Sequence, residues 1–401
     1  MIGRWKMRLA KWGNVPVIAP TGGIQIGSLM IWVPILALIL RDLGASDFHV
    51  SIAVALWTTG EALAQYLGGV LSDRLGRRPV ITYTSYLAAG FLLMAAVSNH
   101  WVFFALAYIG FRSCKGLQTP VFPAIIGESV HPRLRGQAFG IVEMFIASFG
   151  VVGPLLGAQL IPVWGAQRLI FITAGAWILS AGLRQRFLNE TLVHSETKVR
   201  FSFRMLLEQP LRDVTLVMVA LLTMFNITLW GPFMALHAND VLLITRTQIT
   251  LFYALGSLCG AISSPVIGRM VDQVGLSLVL GLTAVIFGVT ILFWSYQSAV
   301  GWIILGYIIM GVAFQACMIS LSAYRMAAVP EGMKGVGLGA CGMISMLASA
   351  LILPVVGYFR MLWGTYVPFV VAALCGLWIA HRLIVLPAIH GSRQKERGQA
   401  S

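Results

Sequence analysis

Four charged side chains stand inside stretches of sequence that are otherwise apolar: Glu61, Arg112, Lys115 and Glu143. Each costs ~2.5 kcal/mol or more when held unpaired at the centre of a membrane helix, so such groups pair with one another or face a wet cavity. A carboxylate in a partly dry site is pushed toward its neutral form by desolvation and toward its charged form by a nearby cation, so it can exchange a proton when its surroundings alternate. Glu61 and Glu143 are therefore the candidate proton-coupling groups. Arg112 keeps its proton, and its expected part is to bias Glu61 or to bind an anionic group. At 1.5 Å per residue, Glu61 lies roughly 15 Å from the inner end of its helix, with Lys115 at about 17 Å and Arg112 at about 21 Å from theirs. Glu61 reaches either. Glu143, roughly 9 Å deep by the same rise, meets Lys115 only with both side chains extended.

Trp57, Glu61 and Gln65 recur at every fourth position, and Tyr108, Arg112, Lys115 and Thr119 follow intervals of four, three and four. Each set forms one stripe along a helix. Polar stripes on apolar helices look inward, toward a cavity for a small molecule. Gln25, Asn226 and Gln315 add amides near the middle of other apolar runs. An interhelical hydrogen bond is the simplest use of each, and contact with a substrate the other.

These residues need helices that cross a membrane. Of 401 residues 58% are hydrophobic and only 10% charged, with a mean hydropathy of +0.85, outside the range of water-soluble globular proteins. A crossing takes roughly 20 apolar residues, and the spacing predicts twelve, at 15–40, 50–71, 79–98, 101–127, 137–163, 167–184, 214–239, 248–268, 276–296, 300–324, 335–359 and 363–386. The net charge of +14 sits in short loops between these runs, which the orientation rule for insertion explains without nucleic acid. With the N-terminus inside, the outer side receives only Arg41, Arg168, Arg246 and Arg360 of the 28 Lys and Arg residues; Arg112 and Lys115 lie within a helix, and the rest fall inside. The expectation is an integral protein of the plasma or inner membrane with both termini cytoplasmic. The basic opening "MIGRWKMRLAKWGN" precedes an apolar run longer than a signal-peptide core and is read as uncleaved. Cys114, Cys259, Cys317, Cys341 and Cys375 fall in apolar stretches without metal-ligand spacing, so neither disulfides nor a metal site is expected.

The longest polar interval, Arg184 to Asp213, divides the chain into an N-terminal six-helix bundle (1–184), a cytoplasmic linker (185–213) and a C-terminal bundle (214–401). Within it "FSFRMLLEQPLRD" fits an amphipathic helix on the inner membrane surface and a plain linker equally well. The halves repeat one another. Gly69, Asp73 and Gly76 recur as Gly268, Asp272 and Gly275; Trp32, Pro34 and Asp42 as Trp230, Pro232 and Asp240; Arg135, Gly136 and Gly140 as Lys334, Gly335 and Gly339; and Pro154 with Gly157 as Pro354 with Gly357. Four sets in order imply a duplicated six-helix unit and parallel halves related by an axis along the membrane normal. The expected fold class is an all-α integral membrane protein of twelve transmembrane helices in two pseudo-symmetric six-helix bundles.

With that repeat in place, the chain resembles the major facilitator superfamily over essentially its whole length. "GGVLSDRLGRRPV" matches the family's most diagnostic motif, between the second and third helices, through Gly69, Asp73, Arg74, Gly76, Arg77 and Arg78. An acidic residue ending the fourth helix, with a basic one seven positions on, is matched by Glu128 and Arg135. The second half keeps the glycines and Asp272 but has Gln273 in place of Arg74 and lacks the double arginine. The resemblance implies a conformational lock: Gly69 permits close helix approach, and Arg77 and Arg135, within reach of Asp73 and Glu128, latch the halves in the outward-open state and let go as they rock inward. Two further stretches resemble the proton-linked drug antiporters of the superfamily. "RSCKG" (112–116) is similar to their Arg-x-x-Gln-Gly motif with Lys115 in the Gln place. "GVVGPLLGA" (150–158) is similar to their Gly-Pro motif, with Gly150, Gly153, Pro154 and Gly157 as a bendable face for packing between the halves.

Three functions follow: a proton-coupled antiporter exporting amphipathic molecules, a proton-linked carrier of organic anions favoured by Arg112 and Lys115, and a non-transporting receptor or scaffold on the same fold. The chain contains no Walker-type phosphate loop, no HExxH and no soluble domain, so neither enzymatic activity nor a cofactor is expected. The expected partners are a small-molecule substrate, protons and the lipid bilayer, acting on a monomer.

Overall fold

A computed structural model of the chain describes residues 12–131, 134–192, 208–209, 211–328 and 334–385. The first half contains α1 (Val15–Met30), α2 (Leu36–Asp42), α3 (Asp47–Leu75), α4 (Arg77–Ala96), α5 (Trp101–Gln118), α6 (Val121–Ser129), α7 (Arg135–Trp164) and α8 (Ala166–Phe187). The second contains α9 (Leu211–Ile227), α10 (Phe233–Asp240), α11 (Arg246–Val274), α12 (Leu276–Trp294), α13 (Val300–Ala328), α14 (Lys334–Trp363) and α15 (Val367–Ala380), which ends in a π-helical turn, His381–Val385.

The duplication is written in the backbone. α3 and α11 are both 29 residues long, and α7 and α14 both 30. The tight turn after α3 has Gly76 at φ +99°, and the one after α11 has Gly275 at +102°, a region that only glycine enters without strain. Ser46 and Thr245 cap α3 and α11 by accepting the backbone N–H of His49 and Gln248. Three runs expected as single helices are interrupted. The run 15–40 breaks at the 3₁₀ turn Val33–Ile35, 214–239 breaks before Pro232, and 101–127 breaks at Pro120, because proline supplies no N–H to the helical ladder. Among the described residues nine segments are long and apolar enough to cross a bilayer, counting α1 with α2 as one. α3 and α5, which carry Glu61, Arg112 and Lys115, and α9, cut short at Ile227, fall outside that set.

In the first half α1 packs on α7 and α8, α3 on α5, and α4 on α5 and α8; in the second α9 packs on α14 and α15, α11 on α13, and α12 on α13 and α15. The halves meet where α3 runs against α14 and α7 against α11. We call the end where α2 and α10 finish distal, and the end where α1 begins proximal. A continuous buried cluster joins the halves, from Trp32, Trp57 and Tyr108 to Phe225, Phe233 and Trp294. Toward the proximal end each half keeps its own cluster, around Ile18, Ile81 and Ile125 in the first and Ile267, Val271 and Val279 in the second. Tyr83, Phe103, Val163, Ile262 and Leu351 are exposed on the outside, with Trp164, Trp302 and Trp363 at distal helix ends. Such a girdle is stable only against lipid.

Candidate functional site

α3 and α5 cross closely because small residues line their contact. A side chain at Gly116 would run into the carbonyl oxygen of Glu61, and one at Gly68 into the backbone of Leu117. The crossing sets Glu61 against two cations: Arg112 Nη2 pairs with one carboxylate oxygen, and Lys115 Nζ stands 3.8 Å from the other. The Glu61 side chain is 7% exposed, that of Arg112 20% and that of Lys115 33%. Phe103 and Leu106 are exposed on the opposite side of α5, so Lys115 opens toward the interior of the bundle. Glu143 is exposed on α7, outside this cluster.

The rest of the expected cavity wall is used differently. Trp57 and Tyr108 are buried rather than open: the Tyr108 ring lies 4.7 Å from that of Trp57, 5.3 Å from Phe111 and 5.9 Å from Trp32, sealing the distal side of the cluster. Gln65, one turn from Glu61, donates to Met346 Sδ at 2.9 Å across the α3–α14 boundary. Asn226 donates to Ser349 Oγ at 3.0 Å, an interhelical bond, and Gln315 is half-buried on α13. Gln25 is buried and accepts from Arg184 at 2.9 Å. Arg184, expected among the cytoplasmic charges, is fully buried. It also donates to Thr21, Ser85 and Gln118 and lies 5.8 Å over the Phe122 ring, so it ties α1, α4, α5 and α8 together.

At the proximal end Arg77 donates to Asp73 and to Ser72 Oγ, both at 2.6 Å, and to Glu128 at 3.3 Å. Arg78 donates to the Gln185 carbonyl at 2.5 Å, while Arg74 is exposed. Glu190, which sequence reasoning missed, caps α4 by accepting the backbone N–H of Arg77 and Arg78. Burial opposes its charge, but the backbone donors of Leu192, Arg77, Arg78 and Thr191 outweigh it and hold the carboxyl below the usual range. These contacts stay within the first half. The side chains of Arg135 and Asp272, both expected in the lock, lie outside the described residues, as does 201–207 of the expected surface helix. Two packing expectations are corrected. Gly69 faces open space and Gly68 makes the close approach; Gly153 sits against Gly27 of α1 and Gly157 against Ile31 just past its end, within one half, with Gly150 free of contact.

Ion pairs across the halves close the distal end. Arg41 bridges Asp240 of the second half at 2.6 Å and Asp47 at 2.7 Å. Arg246 grips both oxygens of Asp42, at 2.5 and 2.7 Å, and Arg360 pairs with Asp47. Arg41 holds the Asp240 carboxyl below the usual carboxylate range. Arg41, Arg246 and Arg360 were legible only as outer charges; the recurrence of Asp42 as Asp240 was the signal that this end is built twice.

A helical membrane bundle made of two repeated halves, shut at one end and holding charges inside, defines a polytopic carrier. The family model of the Major Facilitator Superfamily matches residues 18–215 and again 216–401, and the chain belongs to that family. A chloramphenicol resistance protein of Pseudomonas aeruginosa is 25% identical over 380 residues, 88% of each chain. The quinolone resistance protein NorA of Staphylococcus aureus is 23% identical over 237 residues, 57% of this chain and 60% of its own length. The crystal structure of the human organic anion transporter MFSD10 (TETRAN) superposes with a TM-score of 0.71 over 92% of this chain and 98% of that one, at 18% identity, a likeness of fold alone.

Proposed function

We propose that the protein is a proton-coupled, alternating-access exporter of amphipathic small molecules. The nine long segments, α3, α5 with α6, and α9 with α10 then make twelve crossings, in halves 1–184 and 214–401 joined by a cytoplasmic linker, with both termini inside and the distal end outside. The distal ion pairs hold the outer mouth shut in the arrangement described above. Asp73, Arg77 and Glu128, already paired with one another in this distally shut arrangement, form the proximal lock by engaging the second half when the halves rock the other way, and the names of the two resistance relatives support export as the direction.

The observation that carries this reading is the Glu61–Arg112–Lys115 cluster, a charged group inside the first half, one turn from the seam at Gln65 and Met346. A carboxylate there changes its surroundings each time the halves exchange partners, which is what proton coupling requires. The test is proton movement in everted vesicles holding an acid interior, as lipophilic cations and then organic anions are added. Proton release that falls about tenfold in Glu61→Gln supports Glu61 as the coupling group. Release kept by that variant and lost in Glu143→Gln moves the role to Glu143. If no probe moves protons or is itself moved, the receptor or scaffold function takes over. An organic-anion carrier is the second reading, favoured by the surplus cation Lys115.

A further inference from the structure

We infer that Lys115 is the specificity-determining residue of the cargo site and that the cargo is an amphipathic anion, its carboxylate-type head held by the Lys115 ammonium. The inference rests on the transporter reading above for its alternating access, and it revises that reading for the charge of what is carried and for the proton route of any exchange, which passes from Glu61 to Glu143.

Glu61 pairs with two cations, Arg112 in close contact with one oxygen and Lys115 more loosely with the other, and one unit of negative charge balances only one of them. The Lys115 Nζ, 3.8 Å from the same carboxylate, is beyond hydrogen-bond distance, and its side chain is the most exposed of the three. The group therefore carries one surplus positive charge when Glu61 is ionised and two when it is protonated. An ammonium has three donors on a flexible stem, and one that opens to the interior while sharing its carboxylate with Arg112 recruits an anion. In the facing half the sequence has no acidic residue between Asp213 and Asp240, nor from there to Asp272 at the proximal end of α11. At the seam beside Glu61 it presents the thioether of Met346, a soft apolar surface suited to the body of an amphipathic molecule.

This assignment fixes the sign of proton linkage. The charged and titratable groups facing Glu61 are Arg112, Lys115 and Tyr108, all on α5, and α14 on the other side of α3 presents Met346. Protonating Glu61 removes the negative charge nearest the bound anion, so proton and anion strengthen each other's binding. Exchange of anion for proton cannot run through Glu61 under that linkage; it would have to run through Glu143.

The experiment uses the full chain in lipid nanodiscs and in proteoliposomes, with 2-naphthoate, 2-naphthamide and 2-naphthylmethylammonium as probes of one shape and three charges. The expected result is that naphthoate binds tightest, that Lys115→Gln weakens it about tenfold, or about 1.4 kcal/mol, while leaving naphthamide unchanged, and that Lys115→Arg restores it. Glu61→Gln should tighten naphthoate binding and abolish its strengthening by acid. The inference is overturned if the ammonium probe binds best, if acid weakens naphthoate binding, or if Lys115→Gln weakens naphthoate and naphthamide alike, which is the mark of a purely structural lysine. The two readings fail separately. Lys115-dependent binding with no flux in proteoliposomes removes the transporter reading and leaves the anion site; flux of the amine or amide without that of naphthoate does the reverse.

Discussion

At the scale of single residues, the interior charges form one unit rather than a set of independent sites. Breaking a buried ion pair by removing one partner costs about 3–5 kcal/mol, because the other charge is left unpaired. Arg112→Ala should therefore lower the thermal midpoint of the purified protein by several degrees, and Lys115→Ala by less, since Arg112 is in close contact with Glu61 while Lys115 pairs with it only at 3.8 Å. Equal losses would mean that the two cations share the carboxylate equally. Gly116→Val should be harsher still: its side chain meets the Glu61 carbonyl, so α3 and α5 must part, and both folded yield and transport should fall. The pairing of Glu61 with α5 was legible in the sequence because depth along a helix follows from residue number. Gly68, not Gly69, as the contact and Arg184 as a buried tie were not, because the choice between adjacent positions depends on helix rotation, which composition does not fix.

At the scale of elements, the distal closure must be strong enough to hold and weak enough to release. Its side chains are mostly about one-third exposed, and pairs of that kind contribute about 0–1 kcal/mol each. Arg41–Asp240 and Arg246–Asp42 together then supply at most about 2 kcal/mol, with Arg360–Asp47, whose arginine is buried, adding to them; the states on either side of such a closure interconvert. Arg246→Asp should slow transport several-fold by opening this end, and Arg246→Asp with Asp42→Arg should restore it; a double variant as slow as the single one would show that the pair has no gating part. The closure has a pH signature as well. Asp240 is held below its ordinary range by Arg41, so its contribution is complete above the unperturbed value of about 3.9 and is lost only as pH falls through the lowered one. Distal closure, followed by label distances, should not change between about pH 5.5 and 8. A change in that window would place a further titrating group at the gate. The apolar runs were legible as crossings, but not their breaks at Pro34, Pro120 and Pro232, where the bilayer-length pattern continues while the hydrogen-bond ladder does not.

At the scale of the whole molecule, the repeat was the most legible feature, because duplicated turns keep the residues their geometry demands: Gly76 and Gly275 hold nearly the same positive φ. What the repeat could not reveal is which end is shut, since that depends on contacts between halves whose members lie about 200 residues apart, as Arg41 and Asp240 do at a separation of 199. Alternating access through this gate is read out by a pair of spin-label distances in a cysteine-free background, one between Asn99 and Ser298 in distal turns and one between Leu75 and Val274 at proximal helix ends. If the halves rock as two bodies, Asp240→Arg, which sets two arginines face to face, lengthens the distal distance and shortens the proximal one. If the distal distance lengthens while the proximal one stays put, or if neither moves, the halves do not rock as two bodies and alternating access through this gate is contradicted.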